Sequence, residues 1–556
     1  MADRIWNALT NMMKCGMIVA PKFPDALVHR VFFVMQVYLT NGWRLSFTHA
    51  AAIMNLWEGM SLILPPFLQF LADTLVGNFA VALISTLFST VGIGMVALSV
   101  PEILDHYGGR CRTPGAETCL NGTQEALFYT AVADPGFKNW GRVTSVPPCT
   151  HLRPAAIRDS DHFSSLVLAA LGRAGISFSL DALCDEQGLP EAMLKYLKFC
   201  VWVDKIVMYL IGSLLIFVWT RKWKLLFGIP AIYSAFMGIW FLCGSRWYNR
   251  PKGKGSPLTS VCRVIYSAAT SNNKSQPLNP THDDQKPFFD RFPRCLDRAL
   301  PFFDEQSVET AKFVVRMAPI SITFLVCGMV SSVGNTYFVE QANHMNRRVG
   351  KWNVPLLALQ LPVIVFKLFH DMWLYIFFKI GRKKLRIDLP IGGIGAAMVY
   401  SVLCCVAAAA MEMKRLRVIR SHGLIDKPDD EVIPMHAAWL LFQFFLLAGL
   451  DSFLRKSIVE FYKDRAPQWL RKKLDDDKAA ARAAQRYFDV AVNFVCGLGF
   501  LSSVLSVYVV RRLSDWFQYT LNKSHLDRYY WVLAGLSGVN LVVFNVVGLG
   551  YMRTHS

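Results

Sequence analysis

The chain has 556 residues, of which 53% are hydrophobic and 18% charged, with 15 Trp, 39 Phe and a formal net charge of +19. A soluble chain of this length would form roughly three or four domains, whereas this apolar content is typical of a membrane protein with many spans. Lys and Arg cluster between the apolar runs, which favours basic loops beside membrane spans over a nucleic-acid partner.

Residues 1–24 lack the apolar core and small-residue cleavage site of a signal peptide. Within them, Trp6–Ala20 is predicted either to lie at the membrane surface or to be disordered. About twelve apolar segments then follow, each near the ~20 residues needed to cross hydrocarbon. They cover residues 26–41, 47–72, 79–100, 163–183, 199–220, 225–245, 311–338, 353–378, 389–411, 433–454, 487–510 and 529–552.

A polar stretch interrupts this series after the sixth segment. It predicts an N-terminal six-helix bundle in residues 1–250, a linker in 251–308, and a second six-helix bundle in 309–556. The first segment is short and carries His29 and Arg30, so its assignment as a span is the weakest.

Several short segments at the ends of spans combine Gly, Trp, Pro and charged residues at defined intervals. They are Asn55-Leu-Trp-Glu-Gly59, Leu71-Ala-Asp-Thr-Leu-Val-Gly77, Asn335-Thr-Tyr-Phe-Val-Glu-Gln341, Glu460-Phe-Tyr-Lys-Asp-Arg-Ala-Pro467 and Leu521-Asn-Lys-Ser-His-Leu-Asp-Arg-Tyr-Tyr-Trp-Val-Leu-Ala-Gly535. In this order they resemble the plant nitrate/peptide transporter family, the plant part of the proton-dependent oligopeptide transporters in the major facilitator superfamily. The resemblance implies an all-α membrane protein with about twelve transmembrane helices in two six-helix bundles, and cytoplasmic termini.

The same resemblance implies that Asp73 and Gly77 form the superfamily's tight cytoplasmic turn. In this turn Gly permits a close backbone approach, and Asp caps the next helix or pairs with a basic residue. The usual Arg after that Gly is Asn78, so one charge contact of the turn is expected to be missing.

The chain departs from its relatives at positions that resemble their transport pathway. The first helix keeps a cation, Arg30, but has neither carboxylate of the usual E-x-x-E-R pattern. Ser177 stands where the fourth helix usually carries Lys, and the eighth helix has Tyr375 followed by Ile instead of Asp. Asp451 replaces the Glu of the tenth helix. Because charge inside a membrane is expensive, these losses imply a changed role.

A proton-coupled carrier needs an acid or His whose pKa changes between its two states. The candidates left in the predicted spans are Glu58, Asp204, His370, Asp371 and Asp451. Asp451 is interpreted as a pathway residue or as half of a structural ion pair, and His370 with Asp371 as a titrating couple or as a polar kink. Glu58 either faces the pathway or bonds a neighbouring helix, and Arg30 is a candidate to attract an anionic group.

The loop 101–162 faces the lumen or exterior in the orientation that the resemblance implies. There Asn121-Gly-Thr is a candidate glycosylation site, and Cys111 and Cys119 are candidates for a disulfide, although free thiols and an unmodified loop stay equally open.

The sequence therefore predicts a multi-pass protein of the plasma or vacuolar membrane that carries a small organic or anionic solute by alternating access. Its proton coupling is expected to be weakened, rerouted or absent. The alternative is a non-transporting relative that acts as a membrane regulator or binds a partner. No enzyme motif, metal site or cofactor is indicated, and the resemblance implies a monomer.

Overall fold

The computed structural model describes residues 2–42, 45–100, 165–218, 223–251, 255–270, 296–297, 299–384, 388–425 and 431–553. The described residues form seventeen α-helices. These are α1 (Ala2–Val19), α2 (Lys22–Phe32), α3 (Met35–Val37), α4 (Phe47–Ile63), α5 (Pro65–Leu71), α6 (Gly77–Leu98), α7 (Ser165–Glu186), α8 (Glu191–Val218), α9 (Trp223–Cys243), α10 (Pro257–Thr270), α11 (Glu305–His344), α12 (Gln360–Lys384), α13 (Leu389–Ser421), α14 (Leu441–Arg465), α15 (Gln468–Asp476), α16 (Lys478–Leu513) and α17 (Leu526–Arg553).

Two short strand pairs accompany the helices. Strand β1 (Met345–Asn346) pairs in parallel with β4 (Ile433–His436), and β2 (Arg348–Val349) pairs antiparallel with β3 (Trp352–Asn353). All four lie in the connections before α12 and α14.

Among the described residues, nine stretches are long and apolar enough to cross a membrane. One of them, Phe47–Leu98, has 52 residues and holds two predicted spans. The chain turns between these spans at Gly77, whose φ of 80° suits a residue without a Cβ atom. Ten of the twelve predicted spans thus lie in the nine stretches, and the other two, 26–41 and 199–220, fall largely on α2 with α3 and on α8. The chain is an all-α membrane protein of two helical bundles.

Each bundle has its own packed helix pairs. In the first, α6 packs along α7, and Gly172 and Gly175 of α7 lie directly against Ser89 and Ser85 of α6. In the second, α13 packs between α14 and α17. The exact domain limits at residues 250 and 309 stay predictions.

Helices α4 and α16 connect the two bundles at mid-depth. A Cβ atom at Gly497 of α16 would lie 2.9 Å from the carbonyl oxygen of Gly59 in α4. Glycine at both positions therefore allows the two backbones to touch, as small residues do in membrane helix pairs.

The bundles have a linker end and an opposite end. At the linker end, the amide of Gly255 donates to the carbonyl of Asp73, which ties the linker to the turn before α6. At the opposite end, the Thr40 hydroxyl donates to the Glu340 carboxylate (3.4 Å) and the Asn343 amide to Asn41 (3.4 Å). These contacts join the bundles at the opposite end.

The N-terminal segment is helical. Helix α1 packs on α7, α8 and α9, and Cys15, Met17 and Ile18 near its end are buried. Of the two predictions for Trp6–Ala20, disorder is therefore wrong.

Candidate functional site

A charged cluster lies inside the first bundle, where three helices meet. The Arg173 guanidinium of α7 is 3.6 Å from the Glu58 carboxylate of α4 and contacts Nδ1 of His29 in α2. It also stands 5.1 Å from the centre of the Trp57 ring, within the range of a cation–π contact. We call His29, Trp57, Glu58 and Arg173 the N cluster. The side chains of Arg173 and Glu58 are about one-fifth exposed, so neither is sealed from water.

Arg30 belongs to the same helix as His29 but packs differently. It is buried, and its stem lies against Gly212 of α8, where a Cβ atom would come within 2.9 Å of the Arg30 Cγ. The predicted pathway cation therefore borders α8 as well as the bundle interior.

The second bundle carries a matching cluster on α11, α12 and α14. Asp451 accepts a hydrogen bond from the Ser331 hydroxyl (2.7 Å) and pairs with the Lys367 ammonium (3.1 Å). One turn further along α12, Asp371 pairs with Lys456 at 2.8 Å. We call Ser331, Lys367, Asp371, Asp451 and Lys456 the C cluster.

The lysines of the C cluster are unusually accessible for a membrane interior. Lys367 is 47% and Lys456 51% exposed, whereas Asp451 is only 17% exposed. An ammonium group facing lipid at this depth would be very costly. Its exposure is therefore best explained by an aqueous space.

Two cations of the second bundle lie near the N cluster. Lys367 and its neighbour Arg455, both in the second bundle, lie close enough to His29 to interact with it electrostatically. The charged side chains of the two clusters and their neighbours Arg30 and Arg455 are five cations and three carboxylates: Arg30, Arg173, Lys367, Arg455 and Lys456 against Glu58, Asp371 and Asp451. Cations thus exceed carboxylates in this group.

His370 and Asp371 do not form the couple that the sequence offered. The His370 ring bonds the Phe366 carbonyl at 2.7 Å and packs on Phe445 and Tyr400, while Asp371 turns to Lys456. Neighbours in a helix point about 100° apart, which explains the separation.

Two other predicted pathway residues lie at exposed positions. Ser177 is exposed and its hydroxyl donates to its own helix at Ala174. Tyr375 is 65% exposed and holds the Lys379 ammonium 5.6 Å from its ring centre. Whether these residues line the pathway stays a proposal.

Arg173 is the residue that sequence reasoning missed. Comparison with the fourth-helix pattern drew attention to Ser177, and the charge was taken as lost. The structure corrects this, because Arg173 lies one helical turn before Ser177 and carries a cation on α7. An Arg within the predicted span 163–183 was the available signal, since such a charge is rarely kept without a role.

The turn before α6 keeps its contacts in altered form. Asp73 accepts a hydrogen bond from the Tyr487 hydroxyl of α16 (2.5 Å), and the Asn78 amide donates to Glu186 of α7 (2.6 Å). The amide of Asn78 thus supplies a hydrogen bond at the position where the resemblance led us to expect a charge contact to be missing.

The linker end has further bonds between the bundles. Asp185 of α7 pairs with Arg482 (2.8 Å) and Arg486 of α16, and Glu191 pairs with Lys478 (2.7 Å). The hydrogen bond from Lys478 lowers the pKa of the Glu191 carboxyl. Beside these bonds lies a cavity of about 860 Å³, lined by both bundles and by charged side chains.

A fully buried polar network stabilises the opposite end of the second bundle. Arg415 forms a two-pronged bond with Glu412 (2.8 Å each) and donates to Asn522 (2.7 Å). Gln341 donates to Glu412 at 2.6 Å and accepts from Gln443 at 3.1 Å. This network links α11, α13, α14 and the connection before α17. The predicted sites Asn121, Cys111 and Cys119 lie outside the described residues.

Known proteins resemble this chain along almost its whole length. A family model described as the POT family matches residues 81–490. Protein NRT1/PTR FAMILY 5.5 of Arabidopsis thaliana is 30% identical over 555 residues and 93% of each chain. Protein NRT1/PTR FAMILY 5.12 of the same plant is 27% identical, over 91% of this chain and 86% of its own.

Solved structures share the fold at lower identity. An auto-inhibited POT family peptide transporter superposes with a TM-score of 0.67 over 97% of both chains at 14% identity. A POT family transporter in complex with 5-aminolevulinic acid has a TM-score of 0.59 at 11% identity, covering 98% of this chain and 96% of its own.

Proposed function

This chain belongs to the POT family of membrane transporters, and from that premise we propose that it carries a small organic or anionic solute between its two bundles by alternating access. It is a multi-pass membrane transporter of the major facilitator fold and not an enzyme. The observation that carries the proposal is the excess of cations on the facing interiors of the two bundles.

The charge of the site supports an anionic group on the solute. Lys367 and Lys456 already pair with carboxylates, yet about half of each side chain is exposed. Arg173 also keeps partial exposure beside Glu58. Cations that are desolvated on one side and open on the other attract and orient a carboxylate. A solute with one carboxylate and an apolar body would meet a cation from each bundle.

The arrangement of contacts supports alternating access. Polar bonds join the bundles at the opposite end, the glycine contact of α4 and α16 lies at mid-depth, and a cavity opens at the linker end. Rocking about the glycine contact would break the Thr40–Glu340 bond and close the cavity.

Proton coupling is proposed to run through Glu58 and Arg173. The first helix lacks both carboxylates of the usual E-x-x-E-R pattern, but Glu58 of α4 supplies one inside the same bundle. A proton on Glu58 would neutralise it and release Arg173 to the anionic group of the solute. Proton and anion would then cross together, and loss of the proton would restore the ion pair and expel the solute.

The linker end is proposed to face the cytoplasm, and the membrane to be the plasma or vacuolar membrane, with the protein acting as a monomer. A fluorescent fusion imaged with markers of both membranes distinguishes the two locations.

The test is transport by the purified protein in liposomes that carry an imposed proton gradient. A panel of carboxylates, nitrate and dipeptides is offered at about pH 5.5 and about pH 7.5 outside. We expect accumulation of a carboxylate that is stronger at the lower pH. Accumulation of dipeptides alone would contradict the anion proposal. Absence of all flux would favour the non-transporting alternative.

The Glu58→Gln variant separates transport from its coupling. It should keep exchange of labelled for unlabelled solute but lose accumulation driven by the gradient. Asp297→Asn is the matched control, because Asp297 pairs with Lys312 outside the transport site. Loss of coupling in Asp451→Asn, together with normal coupling in Glu58→Gln, would assign the proton-binding residue to the second bundle.

A further inference from the structure

The linker helix α10 has two apolar faces, and within the described part of the chain protein covers one of them. Val261, Val264 and Ala268 are buried against α11 in a small core of their own. The other face exposes Leu258 (41%) and Tyr266 (72%), which are eight residues and thus about two turns apart. An amphipathic helix needs one apolar face, so the second is available to another partner.

A groove of about 470 Å³ runs along this second face. Its other wall comes from Phe67 and Phe70 of α5, at the linker end of a membrane-spanning stretch. Phe67 is 55% exposed. Helix α10 thus lies beside the membrane surface, and its groove opens where α5 leaves the hydrocarbon.

One charged side chain borders the groove beside the apolar ones. Arg263 lines the groove and is exposed. An exposed guanidinium at the edge of an apolar groove can pair with a phosphate group. Lys252 and Lys254 precede the helix in sequence.

We propose that the groove between α5 and α10 binds one anionic phospholipid from the leaflet at the linker end. The phosphate lies on the Arg263 guanidinium, and an acyl chain fills the space between Phe67, Phe70 and Tyr266. An apolar cavity with few convergent polar groups suits such a ligand. Basic residues beside a membrane select anionic over zwitterionic lipid. The proposal is independent of the transported solute.

The first test is native mass spectrometry of the full-length protein with palmitoyl-oleoyl phosphatidylglycerol or phosphatidylcholine. We expect one retained phosphatidylglycerol, at least several-fold preferred over phosphatidylcholine. Arg263→Gln should abolish the preference. The matched control is Arg246→Gln, an exposed Arg just after α9 at the same end, which should leave the preference intact. Equal retention in all three proteins would overturn the proposal.

The second test locates the lipid through Cys262, an exposed thiol that lines the groove. Phosphatidylglycerol should slow maleimide labelling of Cys262 several-fold, but not labelling of the exposed Cys243. Unchanged labelling of Cys262 would contradict a lipid in the groove. An acyl mass on Cys262 that hydroxylamine removes would overturn the proposal in favour of a covalently attached chain.

Discussion

The Arg173 guanidinium of α7 lies 3.6 Å from the Glu58 carboxylate of α4. This pair supplies, from the second and fourth spans, a carboxylate and a cation that the first span no longer offers together. It also changes the interpretation of Ser177 as the loss of a cation, because the fourth span keeps a cation one turn away.

Replacing Arg173 should weaken solute binding more than it slows the carrier. We expect Arg173→Gln to raise KM for the carboxylate at least about tenfold, equivalent to about 1.4 kcal/mol. Arg173→Lys should retain only part of the wild-type affinity for the carboxylate, because an ammonium cannot form a forked bond. Initial uptake rates measured against solute concentration give KM for both variants. Lys312→Gln is the control that removes a charge in the linker region. An unchanged KM in Arg173→Gln would exclude this role.

Asp451→Asn distinguishes a pathway acid from a structural ion pair. Asn can still accept from the Ser331 hydroxyl but no longer neutralises Lys367. We expect transport to slow about tenfold while the midpoint of thermal unfolding moves by less than about 2 °C. A large loss of thermal stability with normal transport by the surviving protein would assign Asp451 to structure.

The buried Glu412–Arg415 pair should matter for stability. Arg415→Met leaves a carboxylate that is shielded from water, so we expect a loss of about 3–5 kcal/mol in unfolding free energy. Lys463→Met breaks the partly exposed pair Glu460–Lys463, which has the same i,i+3 spacing, and should cost at most about 1 kcal/mol. Thermal unfolding in one detergent compares the two. Equal losses would show that burial does not decide the effect.

Gly497→Ala should impair transport because the added methyl group meets backbone. Its carbon would lie 2.9 Å from the Gly59 carbonyl oxygen and 2.8 Å from the Ile63 Cγ1. The helices must separate, which shifts the contact about which the bundles rock. Gly535→Ala is the control, since nothing lies within 4 Å of its added carbon. Equal transport rates in the two variants would rule out a close-contact requirement.

The Glu191–Lys478 bond should not contribute to the pH dependence of transport. The hydrogen bond from Lys478 lowers the pKa of Glu191 below its ordinary value of 4.5. A lowered pKa means that the stabilisation is complete above the ordinary value and is lost only as pH falls through the lowered one. Glu191→Gln should therefore leave the ratio of uptake at about pH 5.5 and about pH 7.5 unchanged. A changed ratio would contradict this assignment.

Much of the fold was predictable because hydropathy marks membrane spans directly. Helix ends were less predictable: α11 continues to His344 and α16 begins at Lys478, beyond the apolar runs 311–338 and 487–510. Polar helical turns at a membrane surface have no hydropathy signal, so the runs marked the spans but not the helices.

The site was predictable in part. The sequence marked Glu58, Asp371 and Asp451 as acids inside predicted spans, but their partners Arg173, Lys367 and Lys456 required coordinates. Each partner lies on another helix. The spacing of residues along the chain does not indicate which faces of two helices pack against each other. Of the two interpretations of His370 and Asp371, adjacency in sequence favoured neither, and only the coordinates show that the two side chains bond different partners.

The Asn522 side chain has one more consequence, for the biosynthesis of the protein. Asn522-Lys-Ser is an acceptor sequence for glycosylation, yet the amide is 6% exposed and its oxygen is bound to Arg415. A sugar added there before the last helices assemble would exclude Asn522 from the Arg415 network. Modified chains would then be a trapped, immature pool, so quality control in the endoplasmic reticulum should retain any molecule that carries this sugar.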